Sequence, residues 1–281
     1  MIRMLAFTFL FLGIGALALE QANPLIIYPY DATEETPSKA HLPKVQLHEL
    51  AGPEGKIVVW TQPPKPGKPV VFYLHGNAGN LADRTGRFQR LSRAGFGYFA
   101  IAYPGSSGSE GNPGEDALIA TARAGFDALQ DANQIAEVAG PIVIYGESLG
   151  SAVALGLIEN LKTTPNPDHA PIQGVVLEAP FASITEMAKE TVGAIGAIAP
   201  IFMDRWPSTD RAAAFLTHPL VVIHGKQDRV VPIAQGQAVF DAARSDKKKI
   251  FRVADANHVN LWSGGLITQL FGHMASTDLG L

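Results

Sequence analysis

The feature that most constrains the fold is a regular alternation of apolar, β-branched runs with segments whose apolar residues have helical spacing. Runs such as "PVVFYL" (69–74) and "PLVVIH" (219–224) are almost entirely apolar. A strand with one solvated face would alternate polar and apolar residues, so continuous apolar runs indicate strands that are buried on both faces. The alternation predicts the α/β class, with a mostly parallel, doubly wound sheet and helices on both sides.

About eight strands are expected in this sheet. The β-branched runs lie at 56–61, 69–74, 97–103, 141–145, 174–177, 220–223 and 249–253. The segments "KVQLHEL" (44–50) and "GKIVVW" (55–60) have no helix between them, so we expect them to form an antiparallel hairpin.

The N-terminus is typical of a targeting segment. Arg3 precedes an uncharged apolar stretch at 4–19, and "ALA" (16–18) is a plausible cleavage site. The stretch is short of the roughly 20 residues of a spanning helix. We therefore expect residues 1–20 to be a signal peptide or an N-terminal anchor, with export to the periplasm or the medium, or membrane association if the segment is not cleaved.

The remaining residues, 21–281, are predicted to form one domain. Residues 181–217 interrupt the alternation, because they exceed the length of a simple crossover between two strands. This segment is apolar and helical in tendency, and we expect a short helical lid there; an ordinary crossover helix with a loop is the alternative. Its residues Phe202, Met203 and Trp206 are candidates for a substrate pocket.

A serine stands between two glycines at the end of a predicted strand, in "GESLG" (146–150). In a sharp strand-to-helix turn, the residues two before and two after the serine come close together, so only glycine fits at those positions. The turn exposes the hydroxyl at the start of a helix, where N–H groups are unpaired. Ser148 is therefore the candidate nucleophile.

A serine nucleophile requires a base, and the base requires an acid that orients it. Asp228 follows the strand in "PLVVIHGKQDRVVP", and His258 follows the last strand in "FRVADANHVNLW". Both loops are at carboxyl ends of strands, where doubly wound sheets bind their ligands. Asp255 is a weak rival for the acid, and His224 and His75 are interpreted as structural.

The oxyanion of a tetrahedral intermediate needs two backbone donors. The turn itself provides the N–H of Leu149, and the loop after the third strand, "LHGNAGN" (74–80), provides a second. Asn77 is the candidate there, and His75 is expected to brace this loop.

Composition excludes several other classes of function. The formal net charge of −4 gives no basic surface for nucleic acid. The absence of cysteine excludes disulfides, thiolate metal ligands and a cysteine nucleophile. No metal or organic cofactor is implied.

The motifs "LHGNAGN", "AYPGSSGSEG", "GESLGSA", "HGKQDRVVP" and "NHVNLW" occur in this order. With them the chain resembles an α/β-hydrolase over about residues 45–272. It is similar to the subgroup of ABHD-type serine hydrolases and their lysophospholipase-like or prolyl-oligopeptidase-related bacterial relatives. The resemblance implies an esterase-like activity, with the family's nucleophile, acid and base at Ser148, Asp228 and His258.

The sequence thus predicts a serine hydrolase that cleaves a carboxylic ester or thioester of a small-molecule or lipid-like acyl substrate. A serine peptidase with the same triad is the first alternative. A binding protein that retained the fold without catalysis is the second, and the complete triad argues against it.

Overall fold

The computed structural model describes residues 28–131, 135, 137–192 and 206–262. Within them the chain forms one eight-stranded sheet. Its strands are β1 (Gln46–Gly52), β2 (Gly55–Gln62), β3 (Val70–Leu74), β4 (Gly97–Ile101), β5 (Ile142–Glu147), β6 (Ile172–Glu178), β7 (Leu220–Gly225) and β8 (Lys248–Val253).

The strand order across the sheet is β1-β2-β4-β3-β5-β6-β7-β8. β2 pairs antiparallel with both β1 and β4, and every other pair is parallel. The predicted hairpin and the predicted mostly parallel sheet are therefore both confirmed. This is the sheet of an α/β-hydrolase fold.

Helices cover both faces of the sheet. They are α1 (Thr85–Ala94), α2 (Glu115–Gln130), α3 (Leu149–Thr163), α4 (Ile184–Val192), α5 (Ser208–Phe215) and α6 (Ile233–Ala242). Alternate side chains of β3 enter two separate cores: the Phe72 ring lies 5.4 Å from Phe126 of α2, and the Tyr73 ring lies 5.4 Å from Phe88 of α1. The continuous apolar run of β3 follows from this burial on two sides.

The parallel strands place their carboxyl ends at one edge of the sheet. Ser148 follows β5 directly, Asp228 lies three residues after β7, and His258 lies five residues after β8. The topology thus gathers at this edge three residues that lie 30 to 110 positions apart in the chain.

Two predicted segments fall partly or wholly outside the described residues. The N-terminal targeting segment, 1–20, lies outside them, and within the described part of the chain no helix has the length and apolarity needed to cross a membrane. The segment 181–217 contains α4 and α5, whereas 193–205 lies outside the described residues. The predictions of a signal peptide and of a lid stay predictions.

Candidate active site

Three polar side chains from separate loops form a continuous chain of hydrogen-bond contacts at the carboxyl edge of the sheet. His258 Nε2 lies 3.1 Å from Ser148 Oγ, and His258 Nδ1 lies 2.7 Å from Asp228 Oδ2. Because Nδ1 faces an acceptor, it carries the proton, and Nε2 is free to accept one from the serine. This is the order of contacts that activates a serine hydroxyl.

Asp228 is held rigidly in this arrangement. Its side chain is fully buried, whereas 18% of the His258 side chain is exposed. Asp228 Oδ1 accepts the backbone N–H groups of Val230 and Val231, at 2.9 and 2.8 Å. Burial raises the pKa of the Asp228 carboxyl, but the hydrogen bonds from His258 and Val231 lower it below its ordinary value. The carboxylate is therefore charged and oriented toward the imidazole.

Ser148 has a strained backbone. Its φ is 51° and its ψ is −111°, a region that residues with a Cβ rarely occupy. A Cβ at Gly146 would lie 2.5 Å from the carbonyl oxygen of Gly150, and a Cβ at Gly150 would lie 2.0 Å from the carbonyl oxygen of Leu74. The two glycines are therefore required by the close approach that the sequence predicted.

Backbone contacts from the neighbouring strand hold this turn. The Ser148 N–H donates to the Glu178 carbonyl at 2.7 Å, directly at the end of β6. The Ser151 hydroxyl donates to the carbonyls of Gly146 and Glu178, at 2.8 and 3.1 Å. These bonds fix the turn that presents the Ser148 hydroxyl.

The two candidate oxyanion donors lie on adjoining elements. Leu149 is the first residue of α3, where N–H groups have no partner within the helix. Asn77 lies in the loop after β3, and this loop runs against the turn: a Cβ at Gly76 would lie 3.1 Å from the Glu147 carboxylate. The structure thus brings the loop of Asn77 beside the loop of Ser148.

The chain before β1 braces the Asn77 loop, a contact that sequence reasoning missed. The Gly79 N–H donates to the Pro29 carbonyl at 3.1 Å, and the Asp31 N–H donates to the Gly79 carbonyl at 3.0 Å. The Asn80 side-chain amide also donates to the Asp31 carboxylate at 2.9 Å. No sequence pattern marks this docking, because it joins residues about 50 positions apart through backbone groups.

Two other histidines near the site are fully buried, which supports their interpretation as structural residues. His75 is fully buried, donates from Nδ1 to the Gly76 carbonyl at 2.8 Å, and accepts the Tyr103 N–H at 3.4 Å. Burial and the Arg84 charge lower its pKa to about 3. His224 is also fully buried and donates from Nε2 to the Val231 carbonyl at 2.8 Å. Both rings brace loops of the site.

A groove of about 730 Å³ opens beside Asp228 and His258. It is lined by Lys226, Gln227, Asp228, Arg229, Val230, Asn257, His258 and Val259. Val230 and Val259 are 60% and 80% exposed, although a valine side chain is apolar. The groove therefore offers both apolar and cationic surface next to His258.

Of the three predicted pocket residues the structure describes only Trp206, which does not line the groove beside His258. Phe202 and Met203 lie outside the described residues, so their place in a pocket stays a prediction. Trp206 is fully buried in the core, where its N–H groups donate from the backbone to Glu115 at 2.8 Å and from the indole to Tyr28 at 3.1 Å. This position anchors the end of the segment and has no surface left for a substrate.

A protein-family model matches the part of the chain that contains Ser148. Residues 65–214, which are 150 of the 281, match the family model described as "Serine aminopeptidase, S33". The match includes Ser148 and ends before Asp228 and His258.

The chain is also similar to curated relatives and, in its fold, to solved structures. The chain is 26% identical to YfhR of Salmonella typhi, over 73% of this chain and 71% of that protein. It is 31% identical to the lysophosphatidylserine lipase ABHD12 of Danio rerio, over 64% of this chain and 48% of that protein. The esterase Pf2001 of Pyrococcus furiosus superposes with a TM-score of 0.67 at 18% identity, over 90% of this chain and 99% of that chain.

The chain therefore belongs to the serine aminopeptidase S33 family of ABHD-like α/β hydrolases, and it is a hydrolase.

Proposed function

We propose that this hydrolase cleaves a carboxylic ester or thioester through an acyl-enzyme on Ser148. The observation that carries the proposal is the pair of contacts at His258, 3.1 Å to Ser148 Oγ and 2.7 Å to Asp228 Oδ2. A serine within hydrogen-bond reach of an imidazole that a buried carboxylate orients is the arrangement of an activated nucleophile.

In the acylation step, Ser148 Oγ forms a bond to the carbonyl carbon while its proton moves to His258 Nε2. The N–H groups of Leu149 and Asn77 stabilise the negative oxygen of the tetrahedral intermediate. The intermediate collapses, the bond to the leaving group breaks, and the leaving alcohol or thiol takes the proton from Nε2. Asp228 stabilises the imidazolium that exists between the two proton transfers.

In the deacylation step, a water molecule takes the place of the serine hydroxyl as the nucleophile. His258 Nε2 accepts a proton from the water as its oxygen bonds to the acyl carbon. The second intermediate collapses, the proton returns to Ser148 Oγ, and the carboxylic acid leaves. The enzyme is then in its starting state, and no cofactor takes part in this cycle.

The accessible apolar surface beside the triad favours a lipid-like acyl substrate. Val230 and Val259 line the groove next to His258 and remain mostly exposed. A methylene group that is removed from water contributes about 0.8 kcal/mol, or roughly fourfold in affinity. We further propose that Phe202 and Met203 contribute to the acyl pocket, because the segment 181–217 is long and apolar.

A serine peptidase with the same triad is the second candidate, favoured by the description of the matching family as a serine aminopeptidase. The chemistry of the acylation step is the same, and only the leaving group is an amine. The two candidates therefore differ in the substrate and not in the catalytic residues.

The experiment that tests the proposed reaction is a substrate panel. p-Nitrophenyl esters of graded acyl length are assayed beside a set of aminoacyl amides, with the Ser148→Ala variant as the blank for each. We expect kcat/KM for esters to rise through short and medium chains and then to level off, with little activity on amides. Turnover of the amides well above the Ser148→Ala blank would instead identify a peptidase.

A further inference from the structure

A buried cluster of charges lies against the turn that carries Ser148. The guanidinium of Arg87, on α1, donates to both carboxylate oxygens of Glu178, at 2.5 and 2.9 Å. The same guanidinium lies 3.4 Å from the Glu147 carboxylate. The side chains of Arg87, Glu178 and Glu147 are only 13%, 2% and 15% exposed. One arginine thus joins two acidic residues at the carboxyl ends of adjacent strands.

This cluster costs free energy to bury, so stability alone does not explain it. Buried ion pairs are often no more stable than apolar side chains of the same volume, because each charge loses its hydration. Arg84 and the Tyr73 hydroxyl also contact Glu147, at 3.5 and 2.5 Å. A buried network in which every group has a partner favours one geometry over all others.

The cluster of Arg87, Glu147 and Glu178 is joined to Ser148 through the backbone. Glu147 directly precedes Ser148, and the backbone carbonyl of Glu178 accepts the Ser148 N–H at 2.7 Å. Arg87 therefore holds the side chains of two residues whose backbones define the strained turn. A shift of either carboxylate would move the backbone from which the Ser148 hydroxyl projects.

The same cluster is joined to the loop of His258 through Trp262. Trp262 lies four residues after His258, at the other end of the same loop. Its indole N–H points to the Glu178 carboxylate at 2.7 Å and to the Tyr145 hydroxyl at 2.9 Å. Its ring lies 4.9 Å from the Arg87 guanidinium, within the range of a cation–π contact. The loop that carries His258 therefore contacts Glu178 and Arg87, which also hold the turn that carries Ser148.

We infer that Arg87 and Trp262 are positioning residues, which hold His258 at hydrogen-bond distance from Ser148 through their shared contacts with Glu178. The inference rests on the proposed function for its effect on rate. Neither side chain touches the reacting atoms, so both act on the distance between Ser148 Oγ and His258 Nε2. A misplacement of about 1 Å at reacting groups reduces the rate by up to about 100-fold.

The test compares Trp262→Phe with wild type. Phenylalanine keeps an aromatic ring beside Arg87 but removes the N–H that Glu178 accepts. The matched control is Trp60→Phe, because Trp60 is a buried tryptophan of the same core and its indole N–H has no hydrogen-bond partner among the described residues. Arg87→Lys is a second variant, which keeps the charge and removes the two-pronged contact.

We expect Trp262→Phe and Arg87→Lys to lower kcat for a short p-nitrophenyl ester by about 10- to 100-fold. KM and the thermal midpoint should stay close to those of the Trp60→Phe control. If kcat fell only in proportion to the loss of folded protein, the cluster would have a structural role alone. An unchanged kcat in both folded variants would also overturn the inference.

A second readout does not depend on turnover. The Nδ1 proton of His258, which Asp228 holds at an Nδ1–Oδ2 distance of 2.7 Å, is expected to give a low-field proton NMR resonance that His258→Ala removes. We expect this resonance to be sharp in wild type and in Trp60→Phe, and broadened or shifted in Trp262→Phe. An unchanged resonance in Trp262→Phe would contradict the positioning role. Absence of ester and amide turnover in wild type would refute the proposed function, whereas the resonance would still test the positioning.

Discussion

His258 Nε2 lies 3.1 Å from Ser148 Oγ, although 110 positions separate the two residues in the chain. The contact exists because β5 and β8 are parallel strands of one sheet and end at the same edge. The fold therefore brings two distant loops together and places the proposed nucleophile beside its proposed base.

Replacing the base should abolish most of the turnover without unfolding the protein. His258→Ala removes the proton acceptor, and we expect kcat for an ester to fall by about 10³-fold or more. His169→Ala is the matched control, because His169 is also mostly buried and lies 3.2 Å from a carboxylate, that of Asp127. Steady-state kinetics and circular dichroism of both variants test this. Near-normal turnover in His258→Ala would show that another group is the base.

The orienting acid should be Asp228 and not the rival Asp255. Asp228→Asn keeps the shape of the side chain, but its oxygen stays with the Val230 and Val231 N–H groups, so its NH2 group faces His258 Nδ1 and favours the wrong tautomer of the imidazole. We expect kcat to fall by roughly 10³- to 10⁴-fold. Asp255 is exposed to solvent, and Asp255→Asn should keep its kcat within about twofold of wild type. Equal losses in the two variants would refute the assignment.

The placement of Ser148, Asp228 and His258 at one edge could be predicted from the sequence, because each follows an apolar strand and parallel strands end at one edge. Sequence reasoning did not find the Arg87 cluster. Arg87 lies on an amphipathic helix, where an arginine is normally solvated, and its partner Glu178 is 91 positions away. Such a contact depends on tertiary packing, which leaves no local pattern in the chain.

Trp206 was predicted to line a substrate pocket, but the structure buries it in the core. A tryptophan in an apolar segment between two strands suggested a pocket, since the segment has more apolar residues than a crossover needs. The structure buries it against Tyr28, which comes from the chain before β1. That chain carried no signal of docking onto the domain, and the burial of the indole therefore could not be predicted.

The glycines of the turn should be irreplaceable even by alanine. A Cβ at Gly150 would lie 2.0 Å from the Leu74 carbonyl oxygen, and backbone cannot move aside as a flexible side chain can. We expect Gly150→Ala to destabilise the protein by about 1–3 kcal/mol or more. Gly114→Ala is the control, because a Cβ there would meet nothing within 4 Å. Urea unfolding of both variants measures the difference, and similar free energies of unfolding would contradict the crowding argument.

Glu147 should make the folded state sensitive to acid. Burial raises the pKa of its carboxyl, but Arg87, Arg84 and the Tyr73 hydroxyl lower it to about 2, against an ordinary value of 4.5. Because the pKa is lower in the folded state, the charge stabilises the protein above about pH 4.5, and this contribution is lost as the pH falls toward about 2.

The variant Glu147→Gln tests this dependence. At neutral pH we expect a loss below the roughly 3–5 kcal/mol of an isolated buried pair, because Arg87 keeps its contact with Glu178. The free energies of unfolding of wild type and Glu147→Gln should converge as the pH is lowered from 4.5 to 2. Glu54→Gln, at an exposed position, is the control. A constant difference between wild type and Glu147→Gln across this range would contradict the prediction.

The most direct test of the central claim is covalent labelling of the nucleophile. A fluorophosphonate reacts with an activated serine and leaves ordinary serines unmodified. We predict stoichiometric labelling of the wild-type protein, mapped to Ser148 by mass spectrometry, and no labelling of Ser148→Ala. Labelling of Ser106, Ser107 or Ser151 in its place, or a wild-type protein that remains unlabelled, would contradict the account.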